Sequence, residues 1–231
     1  MSYIRNNLKD VKNIIKKAAL KSNRNPEEIA LVAVTKTVGP NEINEAIKAG
    51  VKIIGENRVQ EMLQKIDKVD KNVSWHMIGH LQTNKVKYAL KHFDLIHSLD
   101  RYSLAKEINK RAQKEGKIQD TLLQLNITGE KTKYGLKPDE VEDFINGIGQ
   151  FSFLRLKGLM TIMPYVANTE ELRPYFREMK RIFDHLQKAN LPKNVEMKYL
   201  SMGMTNDFEI AVEEGSNMVR IGTGIFGERN Y

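Results

Sequence analysis

A lysine at the end of an apolar run is the residue of this sequence best suited to covalent chemistry. Lys36 follows Thr35 directly after the apolar run 29–34, so we expect it at the end of a buried strand. Partial burial disfavours the charged form of an amine, and a neutral amine can attack an aldehyde. The alternative is a lysine that extends from the strand end into solvent, and its position alone favours that simpler interpretation.

A second candidate is the segment RIGTGIFG (220–227), whose glycines follow the pattern G-x-G-x-x-G after a predicted strand. We do not expect a dinucleotide site, because the crossover helix and the ribose-binding acid about 20 residues further on are missing. The amides of Gly222 and Gly224 could instead cradle a phosphate with the Thr223 hydroxyl, and the segment around Ser201 would supply the other half. Glycines that only close the fold remain the alternative.

Arg220 stands inside a strand that is otherwise apolar, 218–221. A buried guanidinium needs a partner. That partner is either a carboxylate in a structural ion pair, the commoner case, or the ring nitrogen of a ligand. The sequence leaves both open.

Other kinds of site find little support. His76 and His80 are four residues apart, but the motif H-E-x-x-H is missing, and the pleat of a strand would separate them. The chain has no cysteine and no G-x-S-x-G motif, which excludes thiol chemistry and a nucleophile elbow. Glu56 and Asp100 could form a carboxylate pair, but nothing in the sequence brings them together.

The elements that must position these residues alternate between β and α throughout the chain. An N-terminal amphipathic helix is predicted from the spacing of Ile4, Leu8, Val11, Ile15 and Ala18, and a later helix is predicted to begin at Asn206 with a capping box to Glu209. We predict an α/β fold, a single (β/α)₈ TIM-type barrel domain over residues 1–231; a doubly wound open sheet is the alternative. The predicted strands are 29–34, 51–54, 73–78, 93–98, 121–127, 153–160, 195–200 and 218–221.

Composition narrows the class of protein. Hydrophobic residues make up 41% of the 231 residues and charged residues 29%, as in ordinary globular proteins. No apolar run approaches the roughly 20 residues of a membrane span, and the N-terminus lacks the pattern of a secretory signal. We therefore expect a cytoplasmic protein without a membrane partner.

The formal charge of +8 could indicate a nucleic-acid partner. The lysines alternate with acidic residues along the chain, however, and no nucleic-acid-binding module is recognisable. We expect no nucleic-acid binding, although a barrel that binds polyanions stays an alternative function.

Six segments together resemble the pyridoxal phosphate homeostasis protein family, also called the YggS-type or proline synthetase co-transcribed family. The similarity runs in order from about residue 5 to the C-terminus. The segments are LVAVTKT (31–37), IGENRVQE (54–61), WHMIGHLQTNK (75–85), LQLNITGE (123–130), LKGLMTIMP (156–164) and LSMGMTNDFEIAVEEGSNMVRIGTGIFGER (200–229).

The resemblance implies a fold-type III barrel like that of alanine racemase, with pyridoxal 5'-phosphate (PLP) bound as a Schiff base to Lys36. It implies that Arg220 faces the pyridine nitrogen, where a cation weakens PLP as an electron sink. It further implies that Ser201, Gly222 and Thr223 hold the phosphate and that Asn57 lies beside the cofactor.

The same resemblance implies a protein that buffers or delivers PLP, without established enzymatic activity. Racemases of this fold add a β-rich second domain, which we do not expect here; an amino-acid racemase remains the alternative. PLP-dependent apoenzymes are the implied partners, and we expect a monomer or weak dimer. Lys131 and Lys133 lie in the loop after the fifth strand, where a solvated loop is the simpler interpretation and a second PLP site the alternative.

Overall fold

Eight parallel strands close into a barrel in the computed structural model, which describes residues 2–130 and 132–228. Each strand pairs with the next along the chain, and β1 pairs with β8 to complete the circle. The predicted barrel is therefore confirmed, and the open sheet is wrong. The strands are β1 (Ala30–Val34), β2 (Ile53–Glu56), β3 (Ser74–Met77), β4 (Leu95–Leu99), β5 (Gln119–Leu125), β6 (Leu154–Thr161), β7 (Val195–Ser201) and β8 (Met218–Ile221).

Helices follow the strands and surround the barrel. The first helix precedes β1 and buries the face predicted from its spacing, which includes Ile4, Leu8 and Val11. In the part of the chain described, no helix is long and apolar enough to span a membrane. The α-helices are α1 (Tyr3–Lys21), α2 (Pro40–Lys48), α3 (Val59–Lys65), α4 (Val86–His92), α5 (Tyr102–Lys114), α6 (Val141–Ile148), α7 (Arg173–Lys188), α8 (Phe208–Glu213) and α9 (Thr223–Phe226).

The apolar core has two layers. Val32, Leu122 and Met160 belong to a small cluster contributed by strands on different sides of the barrel. A much larger cluster packs the helices against the strands, with Phe93 and Phe176 among its largest fully buried side chains. The strands are thus covered on both faces, as parallel strands of a barrel must be.

Several predicted boundaries differ from the structure by one or two residues, and two of the differences have identifiable reasons. Strand β2 runs to Glu56, two residues beyond its predicted end, because Glu56 has a buried cationic partner and remains inside the fold. Helix α8 begins at Phe208, and no side-chain capping bond is found at its start. The predicted capping box from Asn206 is therefore wrong; the preceding turn is closed by Asp207, whose Oδ1 accepts the N–H of Met204 at 2.5 Å.

Candidate cofactor-binding site

The carboxyl ends of β1, β6, β7 and β8 surround a cavity of about 340 Å³. This volume lies within the range of small-molecule sites, about 300–1,000 Å³. Apolar side chains form much of its wall, and the charged groups enter from β8 and from the segments after β1 and β7. Lining residues include Val34, Lys36, Met163, Tyr165, Met204, Asp207, Arg220, Gly222 and Thr223.

Lys36 reaches this cavity from the end of β1. It is half-buried and stands two residues after Val34. Strand pairing places Val32 beside Arg220, so residues far apart in the sequence enter the same cavity. The structure thus places an amine at the mouth of the barrel, in the same cavity as a second charged group.

Arg220 is the buried cation of the cavity, which Asp207 also lines. Only 3% of the Arg220 surface is exposed, and the guanidinium donates to two neutral oxygens, Ser201 Oγ at 2.6 Å and the Thr161 carbonyl at 2.7 Å. Within residues 2–130 and 132–228, none of the ion pairs includes Arg220. Of the two interpretations of Arg220, a guanidinium that faces a ligand fits this arrangement better than a structural ion pair does.

The guanidinium keeps its charge despite this environment. Burial lowers the pKa of Arg220 to about 10, and the charge of Asp207 partly opposes the shift. Burial also raises the pKa of Asp207, while the Met204 N–H and Arg220 act in the opposite direction. At neutral pH the cavity therefore contains a cation that can bind an acceptor atom or an anion.

A chain of hydrogen bonds extends from Arg220 across the barrel interior. Ser201 Oγ lies 3.2 Å from His97 Nδ1, and His97 Nε2 lies 3.0 Å from His76 Nδ1. Because a guanidinium can only donate, Ser201 accepts from Arg220 and can direct its own hydrogen to His97. We therefore assign the ring hydrogen of His97 to Nε2, from which it is donated to His76.

His76 and His97, the two histidines in this series of hydrogen bonds, are neutral at physiological pH. Burial lowers the pKa of His76 to about 4, and burial together with the charges of His76 and Arg220 lowers the pKa of His97 well below its usual value. Neutral rings add no second positive charge behind Arg220. They can thus hold the Ser201 hydroxyl in place without repelling the guanidinium.

The glycine-rich turn after β8 brings backbone amides to the same cavity. The amides of Ile225 and Phe226 donate to the Gly222 carbonyl, at 2.9 and 3.0 Å. Among the described residues, the N–H groups of Gly222 and Thr223 have no backbone acceptor, while both residues line the cavity. Unbonded amides of this kind can bind an anionic group.

Two of the six predicted site residues occupy other positions. Ser201 is fully buried, and its hydroxyl is bonded to Arg220 and His97, so it stands behind the guanidinium. Asn57 lines a second cavity of about 510 Å³ on another arc of the rim, together with His80 and Tyr134. The structure thus groups Lys36, Arg220, Gly222 and Thr223 and places Asn57 apart from them.

The remaining candidates take separate partners. Glu56 accepts from Thr35 and Lys65, whereas Asp100 accepts from His80 and Arg101, so the two carboxylates do not form a pair. No cluster of three metal-binding side chains occurs among the described residues.

The loop after β5 is described in part. Lys133 pairs with Glu130 at 2.9 Å, and its side chain is 22% exposed. Lys131 lies outside the described residues.

Sequence reasoning missed the residues behind the charged groups. His97 carries no motif, and its contact with His76 arises because neighbouring strands β3 and β4 both point a histidine into the barrel. The polar residues at the ends of buried strands were a signal for such contacts, because buried polar side chains in a barrel must form hydrogen bonds. Which of them meet depends on the register of the barrel.

The neutral histidines predict a loss of stability in acid. The unfolded chain protonates His76 below about pH 6.5, whereas the folded chain does so only below about pH 4. The free energy of unfolding should therefore fall as the pH drops through this window, by about 2–3 kcal/mol for His76 between about pH 7 and about pH 4.5. Urea unfolding at the two pH values measures the loss.

A matched pair of variants isolates this contribution. His76→Gln should lose less stability than the wild type between the two pH values. His185→Gln, at an exposed position on α7, should behave like the wild type. An unchanged pH dependence in His76→Gln would show that this ring does not titrate as the structure implies.

Comparison with known proteins agrees with this geometry. The family model described as alanine racemase, N-terminal domain, matches residues 2–230. The pyridoxal phosphate homeostasis protein of Aquifex aeolicus (strain VF5) is 46% identical over 218 residues, covering 94% of each chain. That of Escherichia coli (strain K12) is 39% identical over 237 residues, covering 100% of this chain and 99% of the relative.

A solved structure adds a relative that contains the cofactor. PipY of Synechococcus elongatus PCC7942, determined with PLP bound, is 31% identical, with a TM-score of 0.81. The alignment covers 93% of this chain and 100% of PipY. The chain therefore belongs to the family of the alanine racemase N-terminal domain and, within it, to the pyridoxal phosphate homeostasis proteins.

Proposed function

We propose that this chain binds PLP in the Lys36 cavity and serves PLP homeostasis as a binding protein without turnover. The observation that carries the proposal is the meeting of an amine, a buried guanidinium and unbonded glycine amides in one cavity. The names of the relatives and the PLP-bound structure of PipY support it.

The cavity fits the chemical groups of this cofactor. Its apolar wall, with Val34, Met163 and Met204, suits the face of an aromatic ring. Its amine suits an aldehyde, its guanidinium a ring nitrogen, and its amides a phosphate. Each group of PLP would thus have a counterpart of complementary chemistry.

Lys36 would form the covalent link. Its amine would condense with the aldehyde of bound PLP and release one water, so that Lys36 would hold the cofactor as a Schiff base. Lys36 is half-buried at a strand end and lines the cavity that would receive the aldehyde.

Arg220 would set the electronic state of the bound group. PLP supplies an electron sink that is strongest when its ring nitrogen is protonated. A guanidinium that remains charged disfavours a second positive charge next to it. Arg220 thereby supports binding over carbanion chemistry, and Ser201 and His97 hold it in position.

The amides of Gly222 and Thr223 would bind the phosphate, with the Thr223 hydroxyl as a further donor. Ser201 would contribute through Arg220, to which it is already bonded. The predicted contact of Asn57 requires the cofactor to approach the neighbouring cavity and stays a prediction.

An amino-acid racemase is the second candidate. Racemisation needs acid–base groups on both faces of the substrate carbon, and the Tyr165 phenol lines the same cavity as Lys36. That phenol is the observation which favours the alternative. Tyr165 is 85% exposed, however, so nothing in the described residues fixes it as a base would be fixed.

We include in the proposal a cytoplasmic location, PLP-dependent apoenzymes as recipients, and a monomer or weak dimer, as expected from the sequence.

Borohydride reduction tests the proposed link. Protein incubated with PLP and reduced should carry one pyridoxyl phosphate group, and peptide mapping should locate it on Lys36. Lys36→Ala should lose this adduct because, among the described residues, Lys36 is the lysine that lines the cavity. Intact-mass spectrometry measures the loss.

Lys85→Ala is the matched control, since Lys85 lies at the rim but lines the second cavity. It should retain the full adduct. A stoichiometric adduct in Lys36→Ala, or an adduct on another lysine of the wild type, would refute the assignment.

An exchange experiment separates binding from turnover. In deuterated water with PLP and a panel of amino acids, the wild-type protein should exchange α-hydrogens no faster than PLP alone, because Arg220 weakens the electron sink. Nuclear magnetic resonance measures the exchange, with an alanine racemase as positive control. Exchange well above that of free PLP, abolished in Tyr165→Phe, would establish the racemase-like alternative.

A further inference from the structure

Lys36 lies between two residues whose backbone groups are bound to one buried ionic cluster. Lys65 Nζ donates to the Thr35 carbonyl at 2.8 Å, to Glu56 Oε1 at 2.8 Å and to Glu61 Oε1 at 2.7 Å. The same oxygen of Glu61 accepts the N–H of Thr37. The cluster of Glu56, Glu61 and Lys65 therefore contacts the backbone on both sides of Lys36.

Burial makes this cluster unusual. The side chain of Lys65 is 10% exposed and that of Glu56 is fully buried. Taking such charges out of water costs free energy that the ion pair often fails to recover, so a buried pair is weak evidence for stability. A role in fixing local geometry gives a reason for charges at this place.

The backbone after Lys36 needs such support. Thr37 has a φ of +62°, in the left-handed region that β-branched residues rarely adopt. A conformation of this kind persists only where surrounding contacts impose it. Here the bond from the Thr37 N–H to Glu61 supplies such a contact.

This conformation separates the two neighbouring side chains. Lys36 lines the proposed PLP cavity, whereas Thr37 lines a different depression with Val38 and Gly39. If residue 37 relaxed to an ordinary φ, the chain direction after β1 would change and the Lys36 side chain would shift with it.

Lys65 itself is committed to this role. An ammonium has three hydrogens, and its three bonds to Thr35, Glu56 and Glu61 use all of them. It is therefore a structural cation next to the reactive amine, and its attack on an aldehyde would first require the loss of these bonds.

We propose that Lys65 and Glu61, with Glu56, are positioning residues that fix the backbone 35–37 so that the Lys36 amine faces the cavity. This inference rests on the proposed function, because it concerns the amine that would bind PLP. Its consequence is kinetic: the cluster sets the rate of Schiff-base formation on Lys36 more than the affinity for the ring and phosphate.

Two measurements on the whole 231-residue chain test the inference. Rapid mixing with PLP, followed by absorbance, gives the rate of Schiff-base formation. Titration with pyridoxine 5'-phosphate, which has an alcohol in place of the aldehyde, gives the affinity without the covalent step. Circular dichroism and urea unfolding show whether each variant is folded.

Variants of Glu61 carry the test, since its side chain is 21% exposed and its replacement is tolerable. Glu61→Leu removes the acceptor and should slow Schiff-base formation by at least about tenfold, the scale of a displaced reacting group. Glu61→Gln keeps an acceptor for Thr37 and should stay within about threefold of the wild type. In both variants the affinity for pyridoxine 5'-phosphate should change by no more than about twofold.

Two further variants complete the design. Gln64→Leu, an exposed position on the same helix, should leave the rate unchanged. Thr37→Gly combined with Glu61→Leu should recover part of the lost rate, because glycine adopts a positive φ without penalty.

The outcomes separate the two proposals. A wild-type protein without an adduct on Lys36 would refute the proposed function itself. A wild-type adduct together with an unchanged rate in Glu61→Leu would overturn the positioning role alone. A parallel fall in the rate and in the affinity for pyridoxine 5'-phosphate would also overturn it, since that pattern indicates general damage to the site.

Discussion

The site depends on a buried cation, Arg220, which has no carboxylate within ion-pair distance among the described residues, although the charge of Asp207 acts on it. Arg220 is almost fully enclosed, and its bonds go to a hydroxyl and a backbone carbonyl. Burying a charge with incomplete compensation costs free energy. In the proposed function a bound ligand would add an acceptor for this guanidinium, and the amine and glycine amides of the same cavity would bind its other groups.

Barrel closure is what brings these groups together. Lys36 and Arg220 are far apart in sequence, yet the pairing of β1 with β8 brings both to one cavity. Two polar networks then support the cavity from outside. Ser201 and His97 hold the guanidinium, whereas Lys65 holds the strand end that carries the amine. The protein thus positions two reactive groups through separate sets of contacts.

The sequence predicted much of this arrangement because in a barrel the carboxyl ends of the strands share one rim. Lys36, Arg220, Gly222 and Thr223 follow from that rule together with the glycine pattern. Asn57 also follows the end of a strand, but it lines the second cavity, on another part of the barrel rim. The order of the strands does not show which part of the rim binds a ligand. Likewise, Glu61 and Lys65 have the spacing of a surface ion pair on a helix. Their burial arises from packing against β1 and β2, which no local pattern encodes.

A crystal structure of the protein soaked with PLP would show whether the cofactor is joined to Lys36. Continuous density should run from the Lys36 Nζ to the cofactor, with the phosphate on the amides of Gly222 and Thr223 and the ring nitrogen facing Arg220. Cofactor bound in the cavity of Asn57 and His80, with Lys36 unmodified and Arg220 facing solvent, would contradict this expectation.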